Sequence, residues 1–416
     1  MSKITLINPK YSTTSGATLA PFQIPPLSLM KCAWLLKEQG HSVEIKDFQV
    51  SKESMLEWAV RCNADIVIVS TGQILNWQCP QSDISELDRL LSILRNRKQN
   101  IKLIGPHLLL TDFLHKYGEV LSGEPEGYMF DLKTKRDWDF SSTEKLYVNN
   151  PTDYFFPVLG NRVMTFEAIR GCSVGCDFCF QGMYITRKKA LPNLISEIKE
   201  DVKAGYRRFF NVDLNFSLDP KYMEAFADGI AVLGIKWGAH ATLTGLKNID
   251  LEKLRKSGCE VLMVGIENRH QRGLPNKNVN EEFVSKMIKK IRDSKIKVGG
   301  YFILGCPNET KEDVLDTISY AKSLKINYAS FQLFHPLKGT EAFSSIAENV
   351  VMNKYGLSEK YQGEIDHDWL LGMQKKAFWS FYFRPTYFLD NIGLLFKPRM
   401  GLNGIASIIR LKWRIQ

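Results

Sequence analysis

The sequence predicts an α/β protein in three parts: a doubly wound parallel sheet, a second βα series forming a partial (β/α)6 barrel, and a helical C-terminal cap. Three observations carry this. Apolar, strand-like runs alternate with segments of helical period up to residue 126, the pattern of a parallel sheet with helices on both faces. From residue 161 the alternation restarts with six further strand candidates, which suits a partial or closed barrel. The last seventy residues are largely helical and aromatic. The predicted boundaries are 1–135, a connector over 136–160, the barrel over 161–345 and the cap over 346–416.

The first sheet opens with KITLINP, a short apolar strand ending in Asn-Pro. LSLMKCAWLLKEQG, residues 27–40, has helical spacing and a Gly stop. HSVEIKDF is a second strand. ADIVIVST, residues 64–71, is continuously apolar, as a buried parallel strand should be. SDISELDRLLSILRNRKQ is a helix with Ser82 or Asp83 as its predicted cap. IKLIGPH, residues 101–107, is a strand ending in a Gly-Pro turn, and EVLSGEPE, residues 119–126, is a last short one. Doubly wound sheets bind ligands beyond the carboxyl ends of their strands. That rule marks Asn8, Ser70, Thr71, Gly105, His107, Gly123 and Glu124 as the cleft.

The rhythm lapses over residues 127–160, yet the Trp and Tyr residues there argue for an ordered connector. The second series has strand candidates VMTFEAI, RRFFNVDLNF, KWGAHATLT, EVLMVGIEN, VGGYFILG and YASFQLFHP. Helical segments such as LPNLISEIKEDVKAG and EEFVSKMIKKIRDSK lie between most of them. Polar strand ends gather again at Asp213, Asn215, His240, Thr242, Glu267 and Gly305. The aromatic segment WLLGMQKKAFWSFYFRPTYFLDNIGLLF is read as a subdomain packed on the barrel, with contact to a lipid-like substrate or a membrane surface as the other reading.

Apolar content of 44% and charged content of 24% are ordinary for a soluble globular chain. No apolar run reaches the eighteen residues a membrane helix needs, and MSKITLINPK lacks a signal-peptide layout. Eight cysteines in 416 residues are too sparse for a disulfide framework. A cytoplasmic, reducing location is expected, with peripheral membrane association as an addition. The net charge of +10 and pI of about 9.0 suit either solvated surface charge or an anionic partner.

Three of those cysteines crowd into IRGCSVGCDFCF: Cys172, Cys176 and Cys179, spaced C-x3-C-x2-C. Thiolates at this spacing can converge on one metal centre. A structural zinc site wants a fourth ligand, usually from a second pair, and Cys259 and Cys306 are single. Three thiolates on a four-iron cluster leave one iron open to a chelating small molecule. Gly171 and Gly175 let the loop wrap closely, Arg170 is placed to offset cluster charge, and Phe178 to shield the cluster or its ligand.

IRGCSVGCDFCF resembles the signature of the radical S-adenosylmethionine (SAM) superfamily. NVDLNF, GIEN (265–268), FILGCPNET (302–310) and HPLKGTEAF (335–343) resemble that family's second-, fourth-, fifth- and sixth-strand segments. Asn308 stands where the family usually has Gly; Asn tolerates left-handed turns, so the turn survives. IPPLSLMKCAWLLKEQGHSVEI, ADIVIVST, IGPHLLL and LSGEPE resemble the cobalamin (B12)-binding domain that precedes many such barrels. FYFRPTYFL resembles the tail of the same cobalamin-dependent class.

The resemblance implies a Rossmann-like cobalamin-binding domain before a radical SAM barrel. It implies a [4Fe-4S] cluster on Cys172, Cys176 and Cys179, with SAM on the open iron and cobalamin in the first cleft. The implied SAM contacts are Glu267, Asp213, Asn215, Gly305 and Phe178. The implied cobalamin contacts are Ser70, Thr71, Trp77, Gly105, His107, Gly123 and Glu124. His240 and His335 are read either as ligand contacts or as satisfied wall histidines. The Asp-x-His-x-x-Gly motif that supplies a lower cobalt ligand in some cobalamin proteins is absent. Trp77 is the candidate to cover that face instead, against plain core packing.

The implied activity is SAM cleavage to a 5′-deoxyadenosyl radical, followed by cobalamin-dependent methylation of an unactivated carbon. No catalytic residue of the protein itself is singled out. Cyclisation or rearrangement is an alternative. A methylthiotransferase is another, with Cys32, Cys62 and Cys79 as its weak candidates for a second cluster. A non-catalytic metal- or cobalamin-binding protein is a third. The expected substrate is a small molecule, peptide or lipid-like compound, the electron donor a flavodoxin or ferredoxin, and no nucleic acid is expected.

Overall fold

The computed structural model describes residues 1–10, 16–17, 23–72, 82–136, 140, 142, 144–156, 158–179, 185–271, 279–385 and 387. Trp77, Cys79 and the basic tail over 397–416 lie outside these residues.

Five parallel strands form the first sheet: β1 (Lys3–Asn8), β2 (Ser42–Asp47), β3 (Ile66–Ser70), β4 (Asn100–Ile104) and β5 (Glu119–Val120). Their order is β2-β1-β3-β4-β5, so the winding reverses between β1 and β3. A crevice opens outside the carboxyl ends of strands at such a reversal. IVIVS in β3 is a β-branched run, buried from Val67 onward, as a central strand covered on both faces requires. Helix α1 (Leu27–Glu38) covers one face, and helices α2 (Met55–Arg61) and α3 (Ser85–Asn96) cover the other. α1 is buried even at Lys31 and Cys32, because Met30 reaches the barrel core while Leu29, Cys32 and Leu36 pack on the sheet.

Two local expectations change. Neither Ser82 nor Asp83 caps α3; Ile84 holds the N-cap position without a side-chain bond, and Asp83 Oδ1 accepts from Ser85 N instead (3.0 Å). α2 was not read from the sequence. Its true cap is Ser54, which accepts from Glu57 N.

The second sheet holds β6 (Val163–Phe166), β7 (Arg208–Asn211), β8 (Lys236–Ala241), β9 (Cys259–Glu267), β10 (Lys297–Leu304) and β11 (Tyr328–Leu333). All six are parallel and run in chain order. β6 and β11 do not pair with each other among the described residues, so the barrel is partial. Helices α4 (Leu191–Lys203), α5 (Pro220–Ile230), α6 (Leu251–Lys256), α7 (Glu281–Asp293) and α8 (Lys311–Ser323) connect the strands. Phe166, Phe209, Phe226 and Trp237 fill the layer between strands and helices. Ile24, Leu27 and Phe156 plug the inner face against Val163, Phe210, Val261 and Met263.

The outer edge of β11 is covered rather than closed by β6. Gly16–Ala17 pairs antiparallel with Phe331 and Gln332. Helix α9 (His367–Tyr382) supplies the rest: Tyr382 Oη accepts from Ala329 N (2.9 Å) and donates to Ala329 O (2.8 Å), and Gln374 Nε2 donates to Phe331 O (2.9 Å). Side chains thus satisfy backbone groups that an edge strand leaves open. The C-terminal part is less helical than expected, because Val350–Met352 and Ser358–Tyr361 form an antiparallel hairpin before α9. Among the described residues no helix is long and apolar enough to cross a membrane.

Candidate functional site

The three clustered cysteines follow β6, at the carboxyl end of the barrel. Two extended residues, Ile169 and Arg170, pair antiparallel with Lys188 and Arg187, so the loop between them leaves through a two-stranded neck. Within it Cys179 N donates to Cys176 O (3.0 Å), and Gly175 takes a φ of +69° that favours glycine. Cys172, Cys176 and Cys179 are half-buried. Ala342 N, from the segment after β11, donates to Asp177 O (3.1 Å) and pins the far side of the loop.

Asp213 fixes where the loop begins. Its Oδ1 accepts from Ala168 N and its Oδ2 from Ile169 N, both at 2.8 Å, so the end of β7 holds the end of β6. Burial pushes its carboxyl up to about 8 despite those bonds. Asn215 lies farther along and forms a separate group: Ser217 Oγ donates to Asn215 Oδ1 (2.8 Å), and Asn215 Nδ2 donates to Thr242 Oγ1 (3.4 Å).

Glu267, Gly305 and Phe178 come together around Cys306. Phe178 packs against Cys306 and Phe334. Burial pushes the Cys306 thiol up, with Glu309 and then Glu267 adding to it. Glu267 ends β9 at a bulge and is buried with a φ of +65°, a left-handed conformation costly for a non-glycine residue. Glu309 was not singled out in the sequence. Its Oε2 accepts from Gly305 N (2.7 Å) and Cys306 N (2.8 Å) and shapes the turn after β10. The Glu three residues after Cys306 in GCPNE is the signal that would have found it. Asn308 in this turn has a φ of +63°, as the substitution for Gly requires.

His240 and Tyr301 line the barrel's inner face. His240 Nε2 and Tyr301 Oη are 3.1 Å apart, and Gly265 opposite Tyr301 leaves them room to meet across β9. Burial pushes His240 down to about 3 and His335 down to about 4, so both are neutral near pH 7.

In the first domain, Ser70, Thr71, Gly105 and His107 meet at the ends of β3 and β4. His107 Nδ1 contacts Thr71 O, and Ser70 Oγ donates to Gly72 O (2.5 Å). A Cβ on Gly105 would lie 2.7 Å from Thr71 Oγ1, so only glycine fits. At the β1 and β2 ends, Asp47 accepts from Asn8 Nδ2 (2.9 Å) and from Tyr154 Oη (2.8 Å) of the connector. Glu124 turns away from that group and pairs with Arg187 and Arg170.

The Arg170 guanidinium is held by three carboxylates. It is buried and bound to Glu167 (2.7 Å), Glu126 (3.0 Å) and Glu124 (3.5 Å). A second buried group continues the layer, with Lys145 on Glu197 (3.0 Å) and Asp201 (2.8 Å), and Lys189 on Glu197 (2.5 Å).

Among the described residues no three His, Cys, Asp or Glu side chains stand close enough to hold a metal ion as placed. The fit to an iron–sulfur cluster rests on donor chemistry and position. Three half-buried thiols occupy one wrapped loop, at the barrel end where active sites of this architecture lie.

Residues 166–321 match the family described as the radical SAM superfamily. Bacteriochlorophyllide d C-12(1)-methyltransferase of Chlorobaculum tepidum is 25% identical over 252 residues, covering 56% of this chain and 55% of that protein. An anaerobic magnesium-protoporphyrin IX monomethyl ester cyclase of Rubrivivax gelatinosus is 24% identical over 332 residues, covering 74% of this chain and 58% of that protein. The chain spans little more than half the length of these curated relatives. Among solved structures, the cobalamin-dependent SAM radical enzyme OxsB, with aqua-cobalamin bound, superposes with a TM-score of 0.69 at 13% identity, over 98% of this chain and 70% of that one. The radical SAM methyltransferase TsrM of Kitasatospora setae gives 0.64 at 15%, over 83% and 76%. The fold is therefore shared from the first sheet through the barrel. The cysteine signature at the end of β6 lies inside the matched region, so residues 166–321 form a radical SAM domain.

Proposed function

We propose that the chain is a radical SAM enzyme, and that it is a cobalamin-dependent methyltransferase acting on an unactivated carbon. One observation carries the reading: a C-x3-C-x2-C loop leaves the first strand of a six-stranded parallel barrel, behind a sheet of order β2-β1-β3-β4-β5. The two relatives and two solved structures described above are named as a methyltransferase, a cyclase, a radical SAM methyltransferase and a cobalamin-dependent SAM radical enzyme.

Cys172, Cys176 and Cys179 would hold a [4Fe-4S] cluster, which supplies the electron that cleaves SAM to methionine and a 5′-deoxyadenosyl radical. Cobalamin would lie outside the carboxyl ends of β1, β3 and β4, against Ser70, Thr71, Gly105 and His107, with Gly123 and Glu124 at its border, and would supply the methyl group. The protein's own residues position and exclude. Asp213 and Asn215 hold the loop start and the neighbouring strand end. Glu267 presents a buried carboxylate to a ribose hydroxyl or ligand amine. Phe178 and the Gly305–Cys306 turn wall off the loop. Neutral His240 and Tyr301 line the inner face without adding charge, and the plug of Ile24, Leu27 and Phe156 keeps water from below.

A small molecule is the substrate class the relatives favour, a tetrapyrrole being the first to try, with a flavodoxin or ferredoxin as electron donor. The cyclase relative supports a second reading, ring formation, on the same residues. A second cluster of the methylthiotransferase kind is disfavoured: Cys32 and Cys62 are buried in cores on opposite faces of the first sheet.

The test is anaerobic preparation with iron, sulfide and hydroxocobalamin, followed by corrinoid analysis and turnover with labelled SAM. Stoichiometric corrinoid and label transferred to product support the reading. A loaded cluster with no corrinoid bound would remove the cobalamin-dependent part.

A further inference from the structure

Arg170 and Arg187 stand directly opposite one another in the antiparallel neck of the cysteine loop. Like charges at facing positions of such a ribbon repel, and a two-residue pairing has little else to hold it. The neck nevertheless forms, because the acidic turn after β5 docks against it. Glu124 pairs with both arginines, and Glu126, fully buried, takes Arg170 from the other side (3.0 Å). Phe140 of the connector lies under both guanidinium groups, with Arg170 Cζ 5.1 Å and Arg187 Cζ 5.3 Å from its ring centre. The first domain and the connector together thus neutralise and seat the base of the loop that carries Cys172, Cys176 and Cys179.

We propose that the Glu124-Pro125-Glu126 turn is a clamp that positions the cysteine loop. Glu124 and Glu126 act through Arg170 and Arg187 and are positioning residues. The inference rests on the cluster reading only in that the loop has a cluster to hold. It also explains why the two arginines, unfavourable as a pair, are tolerated at the neck: Glu124 of the other domain counters Arg187, and Arg170 is shared between Glu126 and Glu124 of that domain and its own neighbour Glu167.

The test uses the full chain in two forms. On cluster-free protein, hydrogen exchange is followed in peptides spanning 169–188. On reconstituted protein, iron retained per chain is followed under a chelator. E124Q should speed exchange of the neck by about ten-fold, since it removes the carboxylate that bridges the two facing arginines and that pairs with Arg187. Adding R187M to E124Q removes the repulsion and should return exchange to within about three-fold of the original chain. R187M alone should change it by no more than about two-fold. Iron retention should follow the same order. Exchange in E124Q equal to that of the original chain would overturn the clamp, as would an E124Q/R187M chain no slower than E124Q. If E124Q fails to fold, R187M decides: about ten-fold faster exchange there would mean that Arg187 itself, not charge balance, holds the neck. Failure of the original chain to take up iron would sink the cluster reading and leave the exchange result standing.

Discussion

Gly305 and Leu370 are in mutual contact across the top of the barrel: a Cβ on Gly305 would lie 2.5 Å from Leu370 Cδ1. Gly305 is one of the implied SAM contacts. The side where a Cβ would stand is filled by α9, and its amide is held by Glu309. The glycine also has a φ of +78°. G305A should therefore lower stability by about 2–3 kcal/mol, from overpacking and left-handed strain together. Urea unfolding measures this. An unchanged midpoint would contradict the packing role.

Glu267 combines a left-handed φ of +65° with a buried carboxylate. The two features separate by substitution. E267A and E267G both remove the carboxylate, but only E267G also relieves the backbone. E267G should be more stable than E267A by about 1–2 kcal/mol. Both should bind SAM at least about ten-fold more weakly in equilibrium dialysis of reconstituted protein. SAM affinity retained in E267A would remove Glu267 from the ligand site.

His240 makes stability depend on acid. Burial lowers its folded-state value from the ordinary 6.5 to about 3. The unfolded chain therefore binds the proton first as pH falls, and the stability from burying the neutral ring is complete above 6.5 and lost toward 3. The slope reaches about 1.4 kcal/mol per pH unit within that window. H240Q should flatten this limb in urea midpoints taken between pH 7 and 4. His335, lowered to about 4, keeps a residual slope that H335Q removes. A limb equally steep in the double variant would contradict the assignment.

Most of the architecture is legible in the sequence because buried parallel strands read as apolar runs. IVIVS, VLMVGIE and YFIL could be placed without knowing their partners, and their chain order fixed the barrel. Segments held by distant contacts were harder to read. The Val350–Tyr361 hairpin carries lysines and a glutamate and has no apolar alternation to announce it. α2 is only seven residues long. Within the site, the cysteine spacing is local and visible. The layer joining Lys31, Glu126, Glu167 and Arg170 is assembled from residues up to 139 positions apart, and no periodicity in the chain encodes it. Asp213 shows the same limit. Its place at a strand end is visible in the chain, but the bonds its two oxygens accept from the Ala168 and Ile169 amides are a pattern that only the fold reveals.

The most direct measurement is Mössbauer and electron paramagnetic resonance spectroscopy of anaerobically reconstituted protein, before and after SAM is added. The account predicts one [4Fe-4S] cluster per chain, a spectrum that shifts when SAM binds, and no such cluster in C172A, C176A or C179A. A chain that takes up no four-iron cluster, or three variants that keep it unchanged, would contradict the account.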